Sequence, residues 1–153
     1  MKKYILILTL LLVSFSCTNK TPSPAYSSDA CLSHPADLWK GIVAEAAGEG
    51  YQGMYAVCCV VRNRLAAGMP HSLTGMQRKD LERFVKHEYG KTQQDAIKAV
   101  REVFCNNFPD ITLGALYFES EDFITPKWFT GKIILVRFGK HYFYNYRSNH
   151  VTH

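Results

Sequence analysis

The chain has 153 residues, 47% of them hydrophobic, and a formal net charge of +5. That length supports one domain with its own core rather than two. The charge is mild, and no stripe of basic and aromatic residues accompanies it, which excludes a nucleic-acid partner.

Lys2 and Lys3 precede an almost wholly apolar run at 4–15. A run of that length is too short for a membrane-spanning helix, which needs about 20 residues, and has the layout of a secretory signal. Residues 1–16 are therefore set apart as a signal peptide. Cys17 follows the small residue Ser16, the placement of the lipidated cysteine in exported lipoproteins. Ser14 stands where such signals usually carry leucine, and Ser14 with Ser16 also suits ordinary signal peptidase. The reading adopted is a lipid anchor on Cys17, with the protein held at a membrane in the cell envelope. Residues 17–33 are rich in Ser, Thr and Pro and read as a flexible tether reaching roughly 20–25 Å. Residues 34–150 form the domain, expected to act as a monomer.

Ser33 and Pro35 signal a helix start. Leu38, Ile42, Glu45 and Ala46 then recur at helical spacing, and Gly48 and Gly50 close the helix. The span 53–65 is apolar all round, the mark of a central, buried helix. A short helix is expected over 80–86. Another begins at Thr92, with Asp95 in capping-box position and an apolar stripe of Ala96, Ile97, Val100, Val103 and Phe104. After Pro109 the pattern turns strand-like at 115–118. Residues 133–138 and 141–146 then read as a hairpin joined by Gly139 and Lys140. The sum is an α+β domain, helices first and a small antiparallel sheet last.

Five cysteines occur, at 17, 31, 58, 59 and 105. Export permits disulfides; the cysteines read mainly as buried structural thiols, with one disulfide such as Cys31 to Cys58 or Cys59, and the pairing among Cys31, Cys58, Cys59 and Cys105 stays open. Their spacings match no zinc motif, and His87-Glu88 is not completed by a histidine at position 91, so neither a metal nor a cofactor is expected. Cys58 and Cys59 lie in the most apolar helix, where thiols are inert, which argues against a cysteine nucleophile.

Glu45 is the anomaly. Seven residues after Leu38, it lies about 20° from it around the helix, and so in the apolar stripe. A buried carboxyl is costly unless paired or protonated, and the protonated form is what a general acid needs. The competing reading is a core ion pair with Arg62 or Arg64.

The stretch 42–65 contains Glu45-Ala46-Ala47-Gly48-Glu49, a short apolar helix and Asn63-Arg64. It resembles the core motif of the spore-cortex-lytic cell-wall hydrolases. Gly114-Ala115-Leu116-Tyr117-Phe118, Trp128-Phe129 and Gly139-Lys140-His141-Tyr142-Phe143-Tyr144 follow in the same order as in that family. The resemblance implies a lysozyme-like fold and a lytic transglycosylase acting on peptidoglycan glycan strands. Glu45 becomes the catalytic acid, and Glu49 a supporting or alternative acid. Tyr117, Trp128, His141 and Glu119 are expected to bind substrate, and Asn63 and Arg64 to stand behind Glu45. Alternatives are a hydrolytic muramidase using a second carboxylate (Glu49, Glu119, Glu121 or Asp122) and a catalytically silent peptidoglycan-binding lipoprotein. The chain departs from the family pattern at Ala47 and Glu119, and residues 71–91 match it poorly.

Overall fold

A computed structural model describes residues 31–147 apart from 72 and 89. The signal peptide, Cys17 and most of the tether lie outside the described residues. Helix α1 (Leu38–Ala46) passes through a single 3-10 turn (Ala47–Glu49) into α2 (Gly50–Ala66). A 3-10 turn (Thr74–Gln77), α3 (Leu81–His87) and α4 (Lys91–Phe104) follow. Strand β1 (Tyr117–Ser120), 3-10 turns at Glu121–Phe123 and Pro126–Phe129, β2 (Lys132–Phe138) and β3 (His141–Tyr146) complete the order. The sheet order is β1-β3-β2, both pairings antiparallel. The fold is thus α+β, with helices first and the sheet last. No helix among the described residues is long and apolar enough to cross a membrane.

Helix α2 is the axis of the molecule. Every residue from Gly53 to Val61 is buried, and α2 packs against α1, α4, β1 and β2. Polar ties fix its flanks: the Tyr51 hydroxyl donates to Glu102, and the Tyr55 hydroxyl donates to the Pro109 carbonyl at 2.8 Å. Helix α4 buries Ala96, Ala99, Val100, Val103 and Phe104, while Ile97, expected in the stripe, is 40% exposed at its border.

Helix starts depart most from the sequence reading. Helix α1 begins at Leu38, after the Pro35 carbonyl has accepted the Leu38 N–H at 3.0 Å, and not at Ser33. Helix α4 begins at Lys91 after Gly90, so Thr92 lies inside the first turn and does not cap it. A glycine at φ 101 makes the reversal into α4 that a side chain would resist.

The disulfide is Cys31–Cys105, not a bond from Cys31 to Cys58 or Cys59. Cys105 directly follows α4, where the Leu32 N–H also bonds the Phe104 carbonyl at 2.8 Å, so the entering chain lies alongside the α4 end. Cys58 and Cys59 are free thiols in the α2 core. Burial pushes the Cys58 thiol well above its ordinary range and the Cys59 thiol up to about 12.

Candidate active site

The end of α1, the Ala47–Glu49 turn, the end of β1 with the Glu121–Phe123 turn after it, and the β2–β3 turn with the start of β3 line a cleft of about 590 Å³. That lies within the span of roughly 300–1,000 Å³ common for small-ligand sites. Glu45, Glu49, Glu119, Asp122, Lys140 and His141 line it, with Phe118 and Phe123 as apolar wall.

Glu45 enters from α1. Leu38 and Ile42 of its stripe are fully buried, but Glu45 itself is half-buried. The apolar stripe runs out because α1 ends one residue later and the chain turns away through Gly48. The carboxyl therefore faces the cleft instead of the core. Its Oε1 accepts the backbone N–H of Gly75, from the Thr74–Gln77 turn.

Glu49 stands just before α2 and reaches across to the hairpin. Its Oε2 accepts the Lys140 N–H at 2.7 Å. Two glycines admit it. A Cβ on Gly53 would stand 2.2 Å from Glu49 Cβ, and one on Gly139 would stand 1.8 Å from Glu49 Oε2. Gly139 also turns at φ 55, which its lack of a side chain permits. Glu49 thus clamps the hairpin turn onto the start of α2.

His141, the first residue of β3, is 6% exposed, and its Nδ1 is the one buried side-chain polar atom without a hydrogen-bond partner among the described residues. Burial lowers the pKa of its imidazole, and attraction to Glu49, Glu45, Glu119 and Asp122 opposes this without overturning it. Asp122 is joined by Lys140 Nζ at 3.7 Å. Glu121, a sequence candidate for a second carboxylate, does not line the cleft and pairs instead with Arg137. Among the described residues no group of three or more His, Cys, Asp and Glu side chains is arranged to hold a metal ion.

Tyr117 and Trp128, expected at the site, are not in the lining of this cleft. Strand alternation explains Tyr117: it lies opposite Tyr144, while Phe118 lies opposite the fully buried Phe143. The Tyr117 ring packs on Tyr144 at 5.6 Å and Tyr146 at 4.9 Å, and Trp128 meets Tyr144 at 4.8 Å. Lys132 Nζ sits 4.5 Å from the centre of the Trp128 ring. These residues build an aromatic cover on the sheet.

Asn63 and Arg64 make their described hydrogen bonds to the segment leading into β1, and none of those bonds is to Glu45. Asn63 Nδ2 donates to Asp110 Oδ2 at 2.9 Å and to the Ala115 carbonyl at 3.1 Å, and Arg64 Nε donates to the Leu116 carbonyl at 2.6 Å. Burial lowers the Arg64 pKa, while attraction to Tyr117, Tyr144 and Glu45 raises it. Asp110 organises that loop, accepting the Thr112 N–H at 2.8 Å, the Thr112 hydroxyl at 2.6 Å and the Gly114 N–H at 2.8 Å. Burial pushes the Asp110 carboxyl up, but these donors together win and hold it below its ordinary range.

Sequence reading missed Gly75. No side-chain chemistry marks it, because it acts through a backbone N–H, and it lies in the segment least like the family.

The family model described as Cell Wall Hydrolase matches residues 48–144. The matched span includes Glu49 and begins three residues after Glu45. The spore cortex-lytic enzyme of Bacillus subtilis (strain 168) is 29% identical over 137 residues, 82% of this chain and 45% of that protein. The chain thus spans less than half the length of that relative. Among solved structures, the catalytic domain of the germination-specific lytic transglycosylase SleB from Bacillus anthracis is similar, with a TM-score of 0.48 and 29% identity over 69% of this chain and 88% of that one. The catalytic domain of the Bacillus cereus SleB protein gives a TM-score of 0.45 and 26% identity over 69% and 84%.

Proposed function

This chain belongs to the cell wall hydrolase family, and from that premise we propose that it cleaves peptidoglycan glycan strands as a lytic transglycosylase on a lysozyme-like frame. The bond cut is the β-1,4 link between N-acetylmuramic acid and N-acetylglucosamine. The observation that carries the reading is the Glu45 carboxyl, set in the cleft wall at the end of α1 and oriented by a backbone N–H.

In its acid form Glu45 donates its proton to the glycosidic oxygen as the bond to the muramic C1 breaks. The bonding electron pair leaves with that oxygen. The carboxylate so formed then takes the proton of the muramic 6-hydroxyl, whose oxygen closes on C1 as a 1,6-anhydro ring. Glu45 ends protonated, ready for another cycle. One carboxyl serves both halves, so no second carboxylate acts as nucleophile. Glu49, bonded to Lys140, holds the two walls of the cleft in register, and His141 and Glu119 meet the saccharide.

Glu119 and Asp122 share the cleft with Glu45, and this favours a hydrolytic muramidase as the second reading. There a second carboxylate takes part, at about 5–5.5 Å from the acid if retaining or about 6.5–9.5 Å if inverting. The chain is read as exported and anchored through Cys17.

Clearing of purified sacculi tests the enzyme reading. Wild type releases soluble muropeptides and Glu45→Gln releases none. Wild type that binds sacculi and releases nothing would leave the silent binding protein as the correct account.

A further inference from the structure

The Thr74–Gln77 turn carries no ionisable side chain, yet it is fitted to α1 with unusual closeness. Gly41, Ala44 and Glu45, three and four residues apart, share the helix face that meets it. A Cβ on Gly41 would stand 2.4 Å from Met76 Cγ. A Cβ on Gly75 would stand 2.7 Å from Ala44 Cβ and 3.2 Å from Glu45 Oε1. Two glycines, one on each side, therefore set the separation, and at that separation the Gly75 N–H reaches the Glu45 carboxyl.

We infer that Gly75 is a positioning residue for the acid, its backbone N–H orienting the Glu45 carboxyl and taking up the charge that develops there as the proton leaves. The inference rests on Glu45 being the acid. A donor bonds an ionised carboxylate about twice as strongly as a neutral carboxyl. The interaction is thus stronger in the transition state than in the ground state, which is the condition for speeding the chemical step. The N–H is fixed by backbone packing and needs no reorganisation when the charge appears.

The other charged or titratable groups around Glu45 are separable from the turn. Glu49, Glu119, Asp122, Lys140 and His141 stand in the cleft wall, and Arg64 acts from α2. None belongs to the turn, so moving the turn changes the N–H contact and leaves those charges in place.

The test uses the full-length protein in mild detergent, with purified sacculi as substrate. Gly75→Ala, which forces the turn away from Ala44, should lower kcat roughly 10- to 100-fold with KM held. The alkaline limb of its pH–rate profile should move to higher pH, because a donor that favours the carboxylate is lost. A purely structural role would not move that limb. In wild type, the Gly75 amide resonance should shift with pH in step with the alkaline limb, and that shift should vanish in Glu45→Gln. This second measurement decides the matter even where Gly75→Ala fails to fold. Full activity of Glu45→Gln would sink the underlying assignment of the acid. An inactive Glu45→Gln with a wild-type Gly75 amide indifferent to pH would overturn this inference alone, as would a folded Gly75→Ala with unchanged kcat and pH profile.

Discussion

Glu45 and Glu49 present the same functional group to the same cleft, and a conservative substitution separates their roles. Glutamine keeps the carbonyl oxygen that accepts an N–H and loses the proton chemistry. Glu49→Gln should therefore retain most activity, since the Lys140 N–H can still bond, whereas Glu45→Gln should lose it with the thermal midpoint unchanged or raised. Glu49→Ala, which deletes the clamp, should cost about 1 kcal/mol, or roughly 4 °C in Tm. A Glu49→Gln protein as inactive as Glu45→Gln would give Glu49 a catalytic part. Asp110 makes a second prediction. Its folded pKa lies below its unfolded value, so its stabilisation is present above about pH 4 and is lost as pH falls through the folded value. Melting curves of Asp110→Asn should start lower at neutral pH and fall less steeply below pH 4 (approximately the unfolded carboxylate pKa) than those of wild type. At this scale Glu45 was legible because a carboxylate in an apolar stripe breaks a periodic rule. Gly75 was not, since a glycine contributing a backbone N–H leaves no trace in hydrophobic pattern or charge.

Helices and hairpin were legible as elements, because both rest on period. Gly53 to Val61 are buried on every side and form the core of α2, and His141–Tyr146 is strand β3 as read. Ends were not legible, since helix starts were decided by backbone reversals at Gly90 and before Leu38, not by the side-chain caps that Thr92 and Ser33 seemed to offer. Strand faces were also hidden. Tyr117 lies opposite Tyr144 in an aromatic cluster on the sheet, and neither it nor Trp128 lines the cleft. Disulfide pairing depends on where the ends of distant elements meet, which composition does not encode. The Cys31–Cys105 bond spans 74 residues, and the loop-entropy gain for a loop of that size is about 4.5 kcal/mol. Reduction, or Cys105→Ser, should lower the melting temperature by a margin matching about 2–4 kcal/mol. Cleavage well below the new midpoint should persist, because the bond lies at the end of α4 and not among the residues lining the cleft. An unchanged melting curve after reduction would show that the bond contributes nothing to the fold.

The order of elements and the α+β class followed from periodicity across the whole chain, while the identity of the site needed the ordered match of motifs from Glu45 to Tyr144. Three stretches distant in sequence, 44–49, 118–123 and 140–141, converge on one cleft, and no single stretch announces it. The anchored reading belongs to this scale too. Cys17→Ala should release the protein from the membrane fraction into the soluble one, and a variant that still sediments with lipid would contradict a lipid anchor at that residue. Glycan cleavage by a single carboxyl is the central claim, and the masses of the soluble muropeptides released from purified sacculis test it most directly. Wild type should yield fragments ending in 1,6-anhydro-N-acetylmuramic acid, one water lighter than hydrolytic products, and Glu45→Gln should yield none. Reducing N-acetylmuramic ends from wild type, or any comparable release by the variant, would contradict it.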